Sequence, residues 1–172
     1  MRKGGGKSKG ASFERLVCKA LSLWLSSGKR EDLLWRSAMS GGRSTVALRS
    51  DKKLGAQAGD ISSIDRLSHA FIEEYMIECK AYRTLNFEGL IKGKGHLIEF
   101  WKIAVREANR YSKSPILIGK QNNHPMIVCL DWKGLKAFKL KAKVHALDYG
   151  LYIVLWDDFL KSNPRAMQRV RL

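Results

Sequence analysis

Acidic residues are scarce in this chain: 16 Asp and Glu stand against 32 Lys and Arg, a formal net charge of +16. The imbalance is steepest over residues 1–59, where 13 Lys and Arg face 4 acids. Such an excess favours a polyanionic partner and steers association without defining a fold. Cysteine is also scarce, and Cys18, Cys79 and Cys129 stand isolated, in neither zinc spacing nor a disulfide pattern. That usage favours a reducing cytoplasm. The four histidines, His69, His96, His124 and His145, share no spacing, which leaves little support for a histidine-held metal or a histidine nucleophile. No apolar run approaches the roughly 20 residues that span a bilayer. The basic start, Met1 to Gly10, has no apolar h-region and is not a secretory signal. No basic amphipathic helix with a separate apolar face argues for a membrane surface. Internal repeats are absent.

What remains is a 172-residue chain, 45% apolar, long enough for one domain with a core. The organisation expected is a flexible basic arm at 1–10, a single domain at 11–163 and a basic tail at 164–172. Ser12 suits a helix N-cap; Phe13, Leu16, Val17, Ala20, Leu21 and Trp24 follow at helical spacing, and Gly28 closes the segment. Glu14 falls in the first turn of that helix, where a carboxylate also favours the helix dipole. A short strand is expected at Leu33 to Arg36. The stretch 40–59, with Arg43, Arg49, Lys52 and Lys53 opposed only by Asp51, reads as a long flexible basic loop, a kind of segment more often functional or disordered than connecting.

Farther on, Lys92-Gly-Lys-Gly-His96 is a basic glycine turn ahead of a helix at about Leu97 to Arg110, with Leu97, Trp101, Ala104, Val105 and Ala108 inward. Pro115 to Gly119 and Met126 to Leu130 read as buried, mutually antiparallel strands, and Tyr152 to Leu155 as a short edge strand. A last helix begins at Trp156 and halts near Pro164. In the less legible 131–150 stretch, Lys133, Lys136, Lys139, Lys141 and Lys143 form a solvated basic face. Trp132 and Phe138 are either core or exposed aromatics at an interface between copies.

The chemistry concentrates between Gly59 and Tyr82. Ile61 and Ile64, then Phe71 to Ile77, suggest two antiparallel strands reversing within Leu67 to Ala70. Asp65, Glu73 and Glu74 would be solvated hairpin residues. Alternation puts Glu78 and Lys80 on one face and Ile77 and Cys79 on the other, and the pairing returns Asp60 to the side of Glu78. Two converging carboxylates resist joint ionisation unless a cation lies between them. Hard oxygen donors with open positions suit Mg²⁺ or Mn²⁺. Taken alone, however, Asp-x₁₇-Glu-x-Lys also fits a solvated strand end.

The order helix, strand, hairpin, helix, strand, together with Ile77-Glu-Cys-Lys80, resembles the PD-(D/E)XK nuclease superfamily, and within it the archaeal-type Holliday junction resolvases. Lys7-Ser-Lys-Gly-Ala-Ser-Phe-Glu-Arg-Leu16 is similar to that family's opening, which matches Glu14 to the first active-site glutamate. Arg36-Ser-Ala-Met-Ser-Gly41 resembles the family's arginine strand and serine loop, placing Arg36 and Ser40 near the scissile phosphate. Gly59-Asp-Ile61 and Ile77-Glu-Cys-Lys80 resemble the metal-binding core. Ser114 to Ile118 through Asp158 to Leu160 has the order of the family's C-terminal strands and last short helix. Gly59 departs from the proline of the superfamily name, and the loop from Ser40 to Asp60 is longer than usual.

The resemblance implies an α/β, restriction-endonuclease-like core, a mixed central sheet (an antiparallel hairpin plus further strands) flanked by helices. Asp60, Glu78 and the Cys79 carbonyl would hold one or two Mg²⁺ ions, with Mn²⁺ a plausible substitute and no organic cofactor. Glu14 would act through water or as a further ligand, and Lys80 would be the catalytic lysine. The implied reaction is phosphodiester hydrolysis to a 5′-phosphate and a 3′-hydroxyl at four-way or branched DNA, by a homodimer with two sites, inside a prokaryotic cell or the host cell of a phage. Lys3, Lys7, Lys9, Arg43, Arg49, Lys52, Lys53, Lys92 and Lys94 would contact DNA. The alternatives are a nuclease of the same superfamily acting on linear duplex, or a non-catalytic nucleic-acid-binding protein on the same fold.

Overall fold

The computed structural model describes residues 5–37 and 58–163, with side chains from residue 9 onward. Its elements are α1 (Gly5–Leu25), β1 (Leu34–Arg36), β2 (Ile61–Ser63), α2 (Arg66–Glu74), β3 (Tyr75–Tyr82), a 3₁₀ turn (Phe87–Leu90) and α3 (His96–Arg110). They continue through β4 (Ser114–Gln121), β5 (Ile127–Leu130), α4 (Trp132–Ala137), β6 (Val144–Ala146), a second 3₁₀ turn (Leu147–Tyr149), β7 (Leu151–Leu155) and α5 (Trp156–Lys161).

Five strands form one mixed sheet in the order β3-β4-β5-β7-β6, with β3 and β4 parallel and the other neighbours antiparallel. A parallel pair needs a crossover, and α3 supplies it. β4 is buried at every position but Lys120, as expected of a strand covered on both faces. Strand alternation sorts the core accordingly. Ile77, Cys79, Ile116, Ile118, Val128 and Val154 face α1, whose Phe13, Val17, Leu21 and Trp24 sit among them at helical spacing. Leu117, Ile127, Cys129 and Ile153 face the other way, against Leu97, Trp101 and Ala104 of α3. Trp24, Phe71, Tyr75, Phe138 and Phe159 form a ring cluster with neighbouring centroids 4.9–5.9 Å apart, which ties α1 to α5. This is a restriction-endonuclease-like core.

Several sequence expectations are corrected. The antiparallel hairpin within residues 59–82 does not form. Residues 66–74 are helical, and β2 pairs antiparallel with β1, not with β3. Asp65 starts α2: its side chain accepts the Leu67 N–H at 2.9 Å and pairs with Arg30 at 2.7 Å, so it is no solvated hairpin residue. Glu74 pairs with Lys133. Ser68, Phe71 and Ile72, buried at helical spacing, outweigh the β propensity of Phe71 and Ile72, since packing overrides a weak local preference.

α1 begins at Gly5, well before Ser12, so the stretch expected to be a flexible arm is helical from residue 5. Once the apolar stripe fixes a helix, each further residue is added at little cost. Glu14 consequently lies mid-helix, not in the first turn. β7 is interior and β6 is the edge. Phe138 is core at 2% exposure, while Trp132 is 55% exposed, so only Trp132 remains available to a partner. The lysines of 133–143 are exposed as expected.

Candidate active site

The site is assembled around Asp60, where the chain passes between β1 and β3. Asp60 donates its N–H to the Ile77 carbonyl and accepts the Ser37 N–H on its own carbonyl, both at 2.8 Å. Its carboxylate Oδ2 accepts the Cys79 N–H, also at 2.8 Å. Gly59, just before it, bridges in parallel to Ile77 at φ +84°. A Cβ on Gly59 would meet the Ile77 carbonyl oxygen at 2.5 Å. That backbone geometry explains the departure from the superfamily's proline, whose φ is locked near −65°.

Thus the convergence expected from the sequence is present, although a parallel contact and a helical connection produce it. On β3, Ile77 and Cys79 are buried in the core, while Glu78 and Lys80 share the opposite side and form an ion pair. The Lys80 ammonium also lies 5.8 Å from the Phe100 ring centroid. From the α1 side, the Glu14 carboxylate accepts Arg36 Nε of β1 at 2.5 Å, with the two side chains 13% and 30% exposed.

Burial raises the Asp60 pKa to about 7, and the charge of Glu78 adds to the effect. Lys80 and the Cys79 N–H oppose it, and Glu14 contributes in the same sense as Glu78. Asp60 therefore holds a proton more readily than an ordinary carboxylate. Burial works against the charge on Lys80, but Glu78 and Asp60 outweigh it, so its pKa rises and the lysine stays an ammonium. Burial lifts the Cys79 thiol far above its ordinary value and the Cys18 thiol to about 12. Neither supplies a thiolate, so neither is a nucleophile.

No group of three His, Cys, Asp or Glu side chains placed to hold a metal exists among the described residues. The donor set nevertheless fits a hard divalent ion, because Mg²⁺ commonly takes one or two protein carboxylates and completes its shell with water and substrate phosphate. Asp60 and Glu78 are that kind of pair, and their electrostatic conflict is the kind a cation relieves.

Of the other residues singled out from the sequence, Lys9, Lys92 and Lys94 are exposed. Lys3, Ser40, Arg43, Arg49, Lys52 and Lys53 lie outside the described residues, and Lys7 contributes only its backbone, in α1. No histidine joins a group of three metal-ligating side chains among the described residues, and His96 stacks on Phe100. Phe100, beneath Lys80, had been missed in the sequence. Its place four residues after His96 on an amphipathic helix was the available signal.

The family described as phage putative PDDEXK endonuclease matches the chain over residues 5–167. No curated protein and no solved structure matches. No described helix is long and apolar enough to cross a membrane.

Proposed function

The chain belongs to the phage putative PDDEXK endonuclease family, and from that premise we propose a divalent-metal-dependent, structure-selective DNA endonuclease that resolves four-way junctions. Nuclease activity follows the family; the metal, the branched substrate and the paired cut are the proposal. One observation carries it: a buried, proton-avid Asp60 beside Glu78 and Lys80, at the margin of a molecule with net charge +16. A protein that only bound nucleic acid would gain nothing from acids set against phosphate.

Asp60 and Glu78 would hold Mg²⁺, or Mn²⁺ in its place, as one ion or two. Cys79 donates its N–H toward Asp60, so its carbonyl lies on the same strand edge and would complete the protein's share of the ligands. Once bound, such an ion supplies an acidified water and offsets charge growing on the phosphate. Lys80, held as an ammonium, would orient the attacking water from the Glu78 side. Arg36, fixed by Glu14, would face a phosphate oxygen together with Ser40, and Glu14 would act through water or as a further ligand. Water oxygen then bonds to phosphorus, the P–O3′ bond breaks and the 3′ oxygen takes up a proton, leaving a 5′-phosphate and a 3′-hydroxyl.

Junction selectivity is favoured by the resemblance of the Glu14, Arg36, Asp60 and Glu78–Lys80 segments to junction resolvases. Two symmetric cuts call for a C₂ pair of chains with both sites on one face. Purified protein tested on four-way, forked, linear and single-stranded DNA, with and without Mg²⁺, decides the reading. Mg²⁺-dependent paired nicks in the four-way junction are expected. Equal rates on linear duplex would select a general duplex nuclease, and absence of cleavage on every substrate would refute the active site. A sedimentation mass of one chain at micromolar concentration, with the junction still cut, would remove the dimer.

A further inference from the structure

β3 continues past the ion pair to Tyr82. Strand alternation carries Glu78, Lys80 and Tyr82 on one side, with Tyr82 roughly 7 Å along the strand from Lys80. Opposite them, α3 presents His96 and Phe100, four residues apart on one helix face. The Tyr82 ring lies 4.9 Å from Phe100 and 6.1 Å from His96. His96 and Phe100 stack at 6.1 Å with their planes 25° apart. Phe100 also lies beneath the Lys80 ammonium, so the rings and the ion pair are contiguous.

Core packing accounts for only part of this cluster. Phe100 is half-buried against the Leu97 and Trp101 cluster, which anchors the rings from below. Tyr82 is 43% exposed and His96 is exposed, so both rings reach solvent. Exposed Arg83, Lys92 and Lys94 flank the rings in the chain. Lys92 and Lys94 also line a cavity of about 340 Å³ with Gly95, the residue before His96. Solvent-exposed aromatic rings among cations match a ligand that is itself a flat ring on an anionic backbone.

We propose that Tyr82, His96 and Phe100 form a stacking shelf for one unpaired nucleobase of the DNA substrate, beside the phosphate that Lys80 serves. This deepens the nuclease reading and rests on it. Every base has a π face, so such a shelf tolerates any sequence. Bases inside a continuous duplex are already stacked on one another and cannot be offered to it. Bases at a branch point or in a flap can be. The shelf therefore supplies a physical source of preference for branched over continuous DNA without a separate recognition domain.

The test uses the full chain in EDTA, so that binding is read without cleavage. The DNAs are a single strand, a forked duplex with 2-aminopurine at the unpaired branch position, and a continuous duplex. Wild type is expected to change 2-aminopurine emission on binding the fork. Tyr82→Ala is expected to abolish that change and to weaken binding to the fork and the single strand by about fivefold or more, as loss of one stacked base does. Its affinity for continuous duplex should change by less than about twofold, on the same reasoning that duplex bases never reach the shelf. Tyr82→Phe, which keeps the ring, should bind as wild type, and His96→Ala should show a smaller fork-specific loss. Unchanged fork binding by Tyr82→Ala, or equal losses on fork and continuous duplex, would overturn the shelf and leave the nuclease reading standing. Failure of wild type to bind any of the three DNAs would overturn both.

Discussion

Asp60 is 8% exposed and sits beside a second carboxylate, so in metal-free protein its ionised form is disfavoured. Its pKa of about 7 lies above the ordinary 3.8. Between those values the folded chain binds more protons than the unfolded one, so the stability owed to this group is present at low pH and is lost as pH rises toward about 7. Asp60→Asn keeps an acceptor for the Cys79 N–H and removes the titration. In thermal melts in EDTA, wild type should lose Tm relative to Asp60→Asn between about pH 4 and about pH 7 and run parallel to it above that. Parallel curves for the two proteins would contradict this origin of the shift. At pH 8, Mg²⁺ should raise the Tm of wild type and leave that of Asp60→Asn unmoved, because only a folded-state site links binding to stability. The same variant should lose cleavage while still binding DNA. Lys80 has a different task. Lys80→Ala should slow single-turnover cleavage by about a hundredfold or more, the scale of losing one preorganised donor at the reacting group, with a far smaller change in DNA affinity measured in EDTA. A loss confined to affinity would make Lys80 a phosphate contact only.

At the scale of elements, Asp60 is only as well placed as the segments that hold it. Gly59→Ala forces a Cβ against the Ile77 carbonyl at a φ of +84°. It should cost on the order of 1–3 kcal/mol of stability and reduce cleavage more than Tm alone would explain, because the strain falls on the residue next to Asp60. Ser22 plays the corresponding part for β1. Its buried hydroxyl accepts the N–H groups of Leu33 and Leu34 at 3.2 and 3.1 Å, tying α1 to the strand that bears Arg36. Ser22→Ala leaves two buried donors without an acceptor and should destabilise by about 2 kcal/mol in denaturant unfolding; a variant as stable as wild type would mean that water replaces the hydroxyl. These ties also explain what the sequence did and did not disclose. Long periodic elements were legible: α3, β4 and β5 lie close to where their apolar patterns place them, and the Glu-x-Lys string fixed the side of β3 that carries charge. The hairpin was misread because Phe71, Ile72 and Tyr75 carry strand-prone side chains, while the informative signal was the cap, Asp65 just before Arg66-Leu-Ser. Asp60 reached Glu78 regardless, since a helix between two chain segments can return them side by side in parallel as a tight turn does in antiparallel. β6 was illegible because three mostly exposed residues carry no burial pattern.

Over the whole molecule, the question is whether a net charge of +16 acts as a diffuse field or as a footprint beside the active site. The sheet separates the two alternatives. β3, with Glu78 and Lys80, is one edge, and β6 is the other, four strand spacings away. At about 4.8 Å per spacing that is roughly 19 Å, more than two Debye lengths at physiological salt, about 8 Å each. Exposed cations leading into β6, Lys141 and then Lys143, whose N–H donates to Ile153 of β7, therefore could not neutralise phosphates held against β3. Lys92 and Lys94, at the entrance to α3, are next to the ring cluster that abuts Lys80. Each phosphate contact adds about 0.9 to the slope of log affinity against log salt on duplex DNA. Replacing Lys92 and Lys94 with alanine should flatten that slope by about 1.8, whereas the same change at Lys141 and Lys143 should leave it as it is. Titrations of one duplex between about 50 and 200 mM salt measure both. Equal flattening by the two pairs would mean that the DNA spreads over both edges of the sheet and that the charge near the active site has no privileged part in holding it.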